Sequence, residues 1–299
     1  MDRKVVTSNM LLLAAAIIWG CAFVPQKIGM SSIGPFWFTG LRFALGTLLI
    51  IPLLRFEKID RTLSWKDWSA GIVIGLILFG GINLQQIALK YASVANTGFI
   101  TGLYVALVPI VCSFLGHRYS SGVWMGVSMA TAGLYLLSVH GNFEINPGDL
   151  LTLASAFFWA FQLIALSTFG HRLPSIRLAI VQSGTCAVLS LAIAIVAEPI
   201  SLNMIYQAGI PLLYGSVLSV AIGFTLQILA QRHIKAAHSA IILSIESVFA
   251  AFAGWLILGE SLGSKEIIGC ALILIGTILS QLSPEKQRKE KRNLAQEAA

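Results

Sequence analysis

Two residues of this 299-residue chain carry charge far inside apolar stretches: Glu246, ten residues into the run 236 to 258, and Arg42, eight residues into the run 34 to 54. At a helical rise of about 1.5 Å per residue, Arg42 lies roughly 12 Å below the end of its run. An ionised side chain at the centre of a membrane helix costs about 2.5 to 3.5 kcal/mol on insertion scales, so such residues mark function or a specific structural partner. For Glu246 the choices are a proton site, a partner for a cationic group of a solute, or a hydrogen-bond anchor to backbone or serine. Arg42 reads as a structural cation, paired or snorkelling along its aliphatic stem. Lys27 ends its run and can reach outward.

Neutral polar and aromatic residues fall on helical stripes at i, i+4 and i+7. Trp19, Phe23 and Gln26 share one face, and Ser155, Trp159 and Gln162 another; further stripes hold Asn83 with Gln86, Thr97 with Thr101 and Tyr104, and Ser216, Ser219, Gly223 and Gln227. Amides in lipid need partners, so these faces should point into a bundle. Small residues there also serve interhelical packing. The residues expected to touch a solute are Trp19, Phe23, Asn83, Gln86, Thr101, Tyr104, Trp159, Gln162, Gln227 and Glu246. Aromatic walls with a few amides suit a medium-sized, partly apolar solute better than a bare ion. Pro25 and Pro109 interrupt helical hydrogen bonding and are candidate hinges, although such kinks also occur without gating.

Enzyme chemistry is missing. The chain has no paired-Asp diphosphate motif, no Gly-x-Ser-x-Gly, no His-Glu-x-x-His and no phosphate-cradling glycine loop, and its five His sit at run ends or in loops. Cys21, Cys112, Cys186 and Cys270 are dispersed over four runs without metal-ligand or disulfide spacing. No metal, cofactor or ATP-driven step is expected. A carrier of small molecules is favoured, with a passive channel or lipid scramblase as the alternative and an intramembrane enzyme behind it.

The elements that position these residues follow from composition. At 57% hydrophobic and 11% charged, with mean hydropathy +0.82, the chain lacks the polar skin a soluble domain needs. Ten apolar runs are long enough to cross a hydrocarbon core about 30 Å thick. They are 8 to 30, 34 to 54, 69 to 89, 93 to 116, 121 to 139, 148 to 169, 175 to 197, 208 to 230, 236 to 258 and 265 to 282. An all-α integral membrane protein is therefore expected. Of the 20 basic residues, 16 fall on one side: Arg3, Lys4, Arg55, Lys58, Arg61, Lys66, Arg118, Arg172, Arg177, Arg232, Lys235, Lys286, Arg288, Lys289, Lys291 and Arg292. Only Lys90 and Lys265 oppose them. Both termini are thus expected in the cytoplasm. The net charge of +7 then fits an anionic lipid surface and requires no nucleic acid. The stretch after Arg3 and Lys4 is read as a first span and not a cleaved leader, because Trp19 is too bulky for a cleavage region and apolar sequence continues past Cys21.

A shift of about 140 brings the two halves into register. Trp19 falls on Trp159; at 142, Ala88 meets Ala230, Ala95 meets Ala237 and Thr97 meets Ser239; at 143, Gly126 and Gly133 meet Gly269 and Gly276. Residues 1–140 and 146–283 are expected as two five-helix repeats, and 284–299 as a basic cytoplasmic tail. Five spans per copy is odd, so the copies must be inverted, an arrangement that recurs in secondary transporters with a midplane site between the halves.

These features resemble the drug/metabolite transporter superfamily in its ten-span EamA branch. The likeness rests on Trp19-Gly20 followed by Phe23, on Arg42-Phe43, on Thr97-Gly98-Phe99-Ile100-Thr101-Gly102-Leu103-Tyr104 with Pro109, and above all on Ile245-Glu246-Ser247-Val248-Phe249-Ala250-Ala251 continuing to Gly254-Trp255 and Gly259-Glu260. The family usually has Pro after that glutamate, where this chain has Ser247. The first half reads Gly116-His117 where the second has Gly259-Glu260. The resemblance implies an inner-membrane carrier of amino acids, related metabolites or drugs, often an exporter, with a cavity shared by both repeats.

Overall fold

The computed structural model describes residues 3–57, 62–138, 147–260 and 263–282, without the side chains of Glu266 and residues 280–282. Lys58, Arg61, the segment between the two expected repeats and the basic tail with Lys286, Arg288, Lys289, Lys291 and Arg292 lie outside the described residues.

Every regular element among the described residues is helical. In chain order these are α1 (Arg3–Gly29), α2 (Pro35–Ile50, continued by a 3-10 turn, Ile51–Phe56), α3 (Trp65–Ala88), α4 (Val94–Gly102), α5 (Tyr104–Phe114) and α6 (Ser121–Ser138). Then follow α7 (Pro147–Phe169), α8 (Ser175–Ala197), α9 (Leu202–Gln207), α10 (Gly209–Tyr214), a π-helical stretch (Gly215–Phe224), α11 (Thr225–Gln231), α12 (Ala236–Leu243), α13 (Glu246–Leu258) and α14 (Ser264–Leu282). Among the described residues, eight helical stretches are long and apolar enough to cross a membrane. The runs 121 to 139 and 265 to 282 correspond to α6 and α14, with 18 and 19 described residues. Glycine, serine and threonine dilute the first, and Ser264-Lys265-Glu266 opens the second.

The bundle is apolar outside, and its apolar core also encloses polar side chains. Leu48, Phe114 and Val196 face outward, whereas Arg42, Gln86, Gln162, Gln182 and Asn83 are buried. That pattern suits a lipid solvent, in which buried amides find partners within the bundle.

Close approaches rely on glycine. A Cβ on Gly20 of α1 would lie 2.4 Å from the Glu246 carbonyl, so α1 rides directly on the start of α13. Between α6 and α14 the approaches are exchanged: a Cβ on Gly133 would stand 2.5 Å from Gly269 O, and one on Gly276 would stand 2.9 Å from Gly126 O.

Carboxylates clasp helix N-termini, where unpaired N–H groups and the helix dipole favour an anion. Glu198, just past α8, accepts from Phe36 N (3.2 Å) and Trp37 N (3.0 Å) at the start of α2. Glu57, just past the end of α2's 3-10 turn, accepts from Ile176 N (2.6 Å) and Arg177 N (3.3 Å) at the start of α8, and pairs with the Arg177 guanidinium at 2.9 Å. Helices α2 and α8 thus hold each other at both ends. A third clasp joins Glu260, past α13, to Val94 N (3.1 Å) and Ala95 N (3.2 Å) of α4, where Lys27 also pairs with Glu260 at 3.6 Å and donates to Ala92 O. At the matching position, the His117 ring Nδ1 lies 3.2 Å from Cys112 O. Near the Glu57 clasp, the Arg232 guanidinium donates to Leu173 O, and burial lowers its pKa against the opposing pull of Glu57.

Candidate substrate-binding site

Two helical runs break near mid-bundle and converge there. The α4 helix gives way to α5 at Leu103, and α12 to α13 at Ser244-Ile245, which puts Tyr104 and Glu246 on the first turns after the breaks. The turn before Glu246 persists without a proline; Ser247 instead ties it across the bundle by donating to Gly98 O at 2.8 Å. The Tyr104 hydroxyl donates to Glu246 Oε1 at 3.1 Å. Gly223, in the π-helical stretch, leaves room for Trp19, since a Cβ there would lie 2.5 Å from Trp19 Nε1.

Between these elements lies a hollow of about 40 Å³, lined by Trp19, Phe23, Gln26, Ile82, Gln85, Thr101, Tyr104, Trp159, Leu163, Ser219, Phe224, Gln227, Leu243 and Glu246. Such a volume holds roughly three waters. Its wall is an aromatic cluster: Trp19 and Phe224 centroids are 4.8 Å apart, Trp19 and Trp159 6.5 Å, and Trp159 stacks on Phe224 at 6.3 Å. Both indole N–H groups are occupied, Trp19 donating to Ser219 O at 3.0 Å and Trp159 to Gln85 Oε1 at 2.9 Å.

Twelve of the fourteen lining residues form six pairs separated by 140 or 142 positions. At 140 these are Trp19 with Trp159 and Phe23 with Leu163. At 142 they are Ile82 with Phe224, Gln85 with Gln227, Thr101 with Leu243 and Tyr104 with Glu246.

Of the ten residues expected to touch a solute, Trp19, Phe23, Thr101, Tyr104, Trp159, Gln227 and Glu246 line the hollow. Asn83, Gln86 and Gln162 stand behind it. Asn83 donates to Ser190 Oγ of α8 at 2.9 Å, and Gln162 exchanges two 3.1 Å amide bonds with Gln227. Gln86 accepts from Arg42 Nη2 at 3.2 Å and donates to Gln26 O. Arg42 is fully buried between the Phe38 and Phe43 rings, so it does not snorkel. Pro25 lies inside α1 and Pro109 inside α5, and Pro109 O accepts from Ser113 Oγ. Gln85 and Phe224 are additional lining residues. Their sequence signal was the repeat itself, which pairs Gln85 with Gln227 and Phe224 with Ile82.

A helical bundle with an apolar exterior, buried amides and an aromatic hollow at broken helices is a multi-pass membrane protein with a small hollow at its centre. The EamA-like transporter family matches the chain twice, over residues 6–139 and 146–282, and the chain belongs to that family. It is 31% identical over 273 residues to an uncharacterized transporter of Archaeoglobus fulgidus, covering 91% of this chain and 84% of that one. The inner membrane transporter YedA of Escherichia coli (strain K12), also uncharacterized, is 26% identical over 91% of this chain and 89% of its own length. The threonine/homoserine exporter RhtA of the same strain is 28% identical, with 94% and 93% covered. A solved crystal structure, at 22% identity, shares the fold with a TM-score of 0.77 over 92% of this chain and 98% of the other.

Proposed function

We propose that this chain is a secondary transporter that moves a small metabolite across the cytoplasmic membrane by alternating access, in the direction of export. Its ten helical runs form two inverted five-helix repeats, the first within 1–140 and the second within 146–283, and both termini face the cytoplasm. The observation that carries this reading is the hollow, whose lining is built almost wholly from residues paired across the two halves of the chain. A site on such an axis is reached equally from either side by rocking one half against the other. The two-fold match of the family and the exchanged α2/α8 and α6/α14 contacts support the same symmetry. Likeness to a threonine/homoserine exporter supports a small cargo moving outward. A hollow holding only a few waters favours a carrier over an open channel.

In this reading Glu246 is the exchange site for a proton or a cationic solute group, the remaining lining residues shape the cavity, and Pro25 and Pro109 act as hinges. Comparing intracellular and medium metabolites in cells lacking or overproducing the protein identifies the cargo. The purified full chain in proteoliposomes then should show saturable flux of that solute and counterflow against an internal pool. Linear flux without counterflow overturns the carrier reading in favour of a channel or scramblase.

A further inference from the structure

We infer that the transported solute is an organic amine in its cationic form, with an apolar body and no carboxylate of its own. This rests on reading the hollow as the substrate site. Glu246 is the one carboxylate in the lining, and no Lys, Arg or His joins it there. Its Oε1 accepts from the Tyr104 hydroxyl, while its other oxygen takes no hydrogen bond. A carboxylate buried so deeply with one neutral donor is strongly under-compensated, and a cation that enters beside it supplies what the fold withholds.

The surroundings select the kind of cation. Hard metal ions require six or more oxygen ligands, whereas this wall is mostly indole and phenyl carbon. Aromatic faces attract alkylammonium groups, tryptophan most strongly. Both indoles have their N–H edges already engaged, which leaves π surface for contact.

A carboxylate on the solute finds no cationic counterpart among the described lining residues. Arg42, the other buried charge in the bundle's centre, is outside the lining; Gln86 takes its Nη2, Phe38 and Phe43 enclose its guanidinium, and Gln86 with Gln26 stands between it and the hollow. No ion pair joins it to Glu246 among the described residues. The six residue pairs around the hollow place Tyr104 opposite Glu246, so only one half of the symmetric lining carries charge, and it is negative.

Equilibrium dialysis of radiolabelled phenethylamine against the full chain in nanodiscs tests this, with 2-phenylethanol and phenylalanine as competitors that delete the charge or add a carboxylate. Phenethylamine should bind saturably at one site per chain, and both competitors should be weaker by roughly 100-fold, since a buried charge rejects ligands that leave it unmatched. Glu246→Gln should abolish binding, Glu246→Asp should retain it, and Trp159→Ala should weaken it. If phenylalanine or 2-phenylethanol competes as well as the amine, or Glu246→Gln binds it normally while Trp159→Ala does not, the cation class falls and the site stands. If Trp19→Ala and Trp159→Ala both bind the amine as the parent does, the hollow is not the site and both readings fall. Absence of any amine binding overturns the inference outright.

Discussion

Removing the carboxylate of Glu57 should destabilise the fold by about 2 to 3 kcal/mol without touching the hollow. Glu57 receives the Ile176 and Arg177 amides at the start of α8 and pairs with the Arg177 guanidinium at 2.9 Å, with side-chain exposures of 10% for Glu57 and 20% for Arg177. Loss of a good N-terminal cap costs about 1 to 2 kcal/mol. The half-dry ion pair adds about 1 kcal/mol, near the top of the range for exposed pairs because little water screens it. By size scaling, 2 to 3 kcal/mol lowers the melting temperature by about 4 to 12 °C. Unfolding in detergent can be followed with a thiol-reactive fluorogenic dye, because Cys112 and Cys186 are buried in the fold and become reactive only when it opens. Glu57→Ala should show the full shift. Glu57→Gln keeps one acceptor and should lose about half, and Arg177→Ala keeps the cap and should lose at most about 1 kcal/mol. Equal melting of Glu57→Ala and the parent, or equal loss in all three variants, would refute the clasp as the source of stability.

Four further outcomes follow from the site and its supports. Glu246→Gln should abolish flux driven by an imposed pH gradient while leaving the protein folded; Tyr104 is the other titratable side chain in the lining, and gradient-driven flux equal to the parent's in proteoliposomes would take Glu246 out of the coupling step. Trp19→Ala and Trp159→Ala should each weaken affinity for the cargo, and unchanged saturation curves for both would place the cavity elsewhere. Gly223→Ala should push Trp19 from the wall, since a Cβ there lies 2.5 Å from its Nε1, and should cost about 1 to 3 kcal/mol together with affinity; a parent-like melt contradicts this packing. His117→Glu should set a carboxylate at the position that matches Glu260, raise stability by about 1 kcal/mol and slow transport, which melting curves and initial flux rates report together; an unchanged melt shows that the position does not reach α12.

The broad architecture was legible because lipid imposes it: apolar runs of membrane-spanning length can only be helices, and the apolar runs recur as the observed helices, with α4 and α5 sharing one run and α12 and α13 another. Rotation of each helix about its axis was harder to read. A stripe through Asn83 and Gln86 differs from the lining pair Ile82 and Gln85 by a single residue, or about 100° of turn, and both stripes carry amides, so polarity alone cannot choose between them. In the π-helical stretch a turn holds an extra residue, which moves Phe224 into the wall in place of the Gly223 expected on regular helical spacing. The clasps escaped notice for another reason. Glu57, Glu198 and Glu260 follow helix ends, where an acidic residue looks like ordinary solvent-facing polarity until a partner's N-terminus is placed against it.

The contact at the centre was nevertheless implicit in the offset of 142. That shift superposes Tyr104 on Glu246, and in the structure the two meet at hydrogen-bond distance. A glutamate in both copies would set two carboxylates side by side, a pairing that opposes ionisation of both. Tyrosine in one copy replaces that pairing with a donated hydrogen bond to a single carboxyl group. The departure from strict repetition therefore falls where an exact repeat is least tolerable.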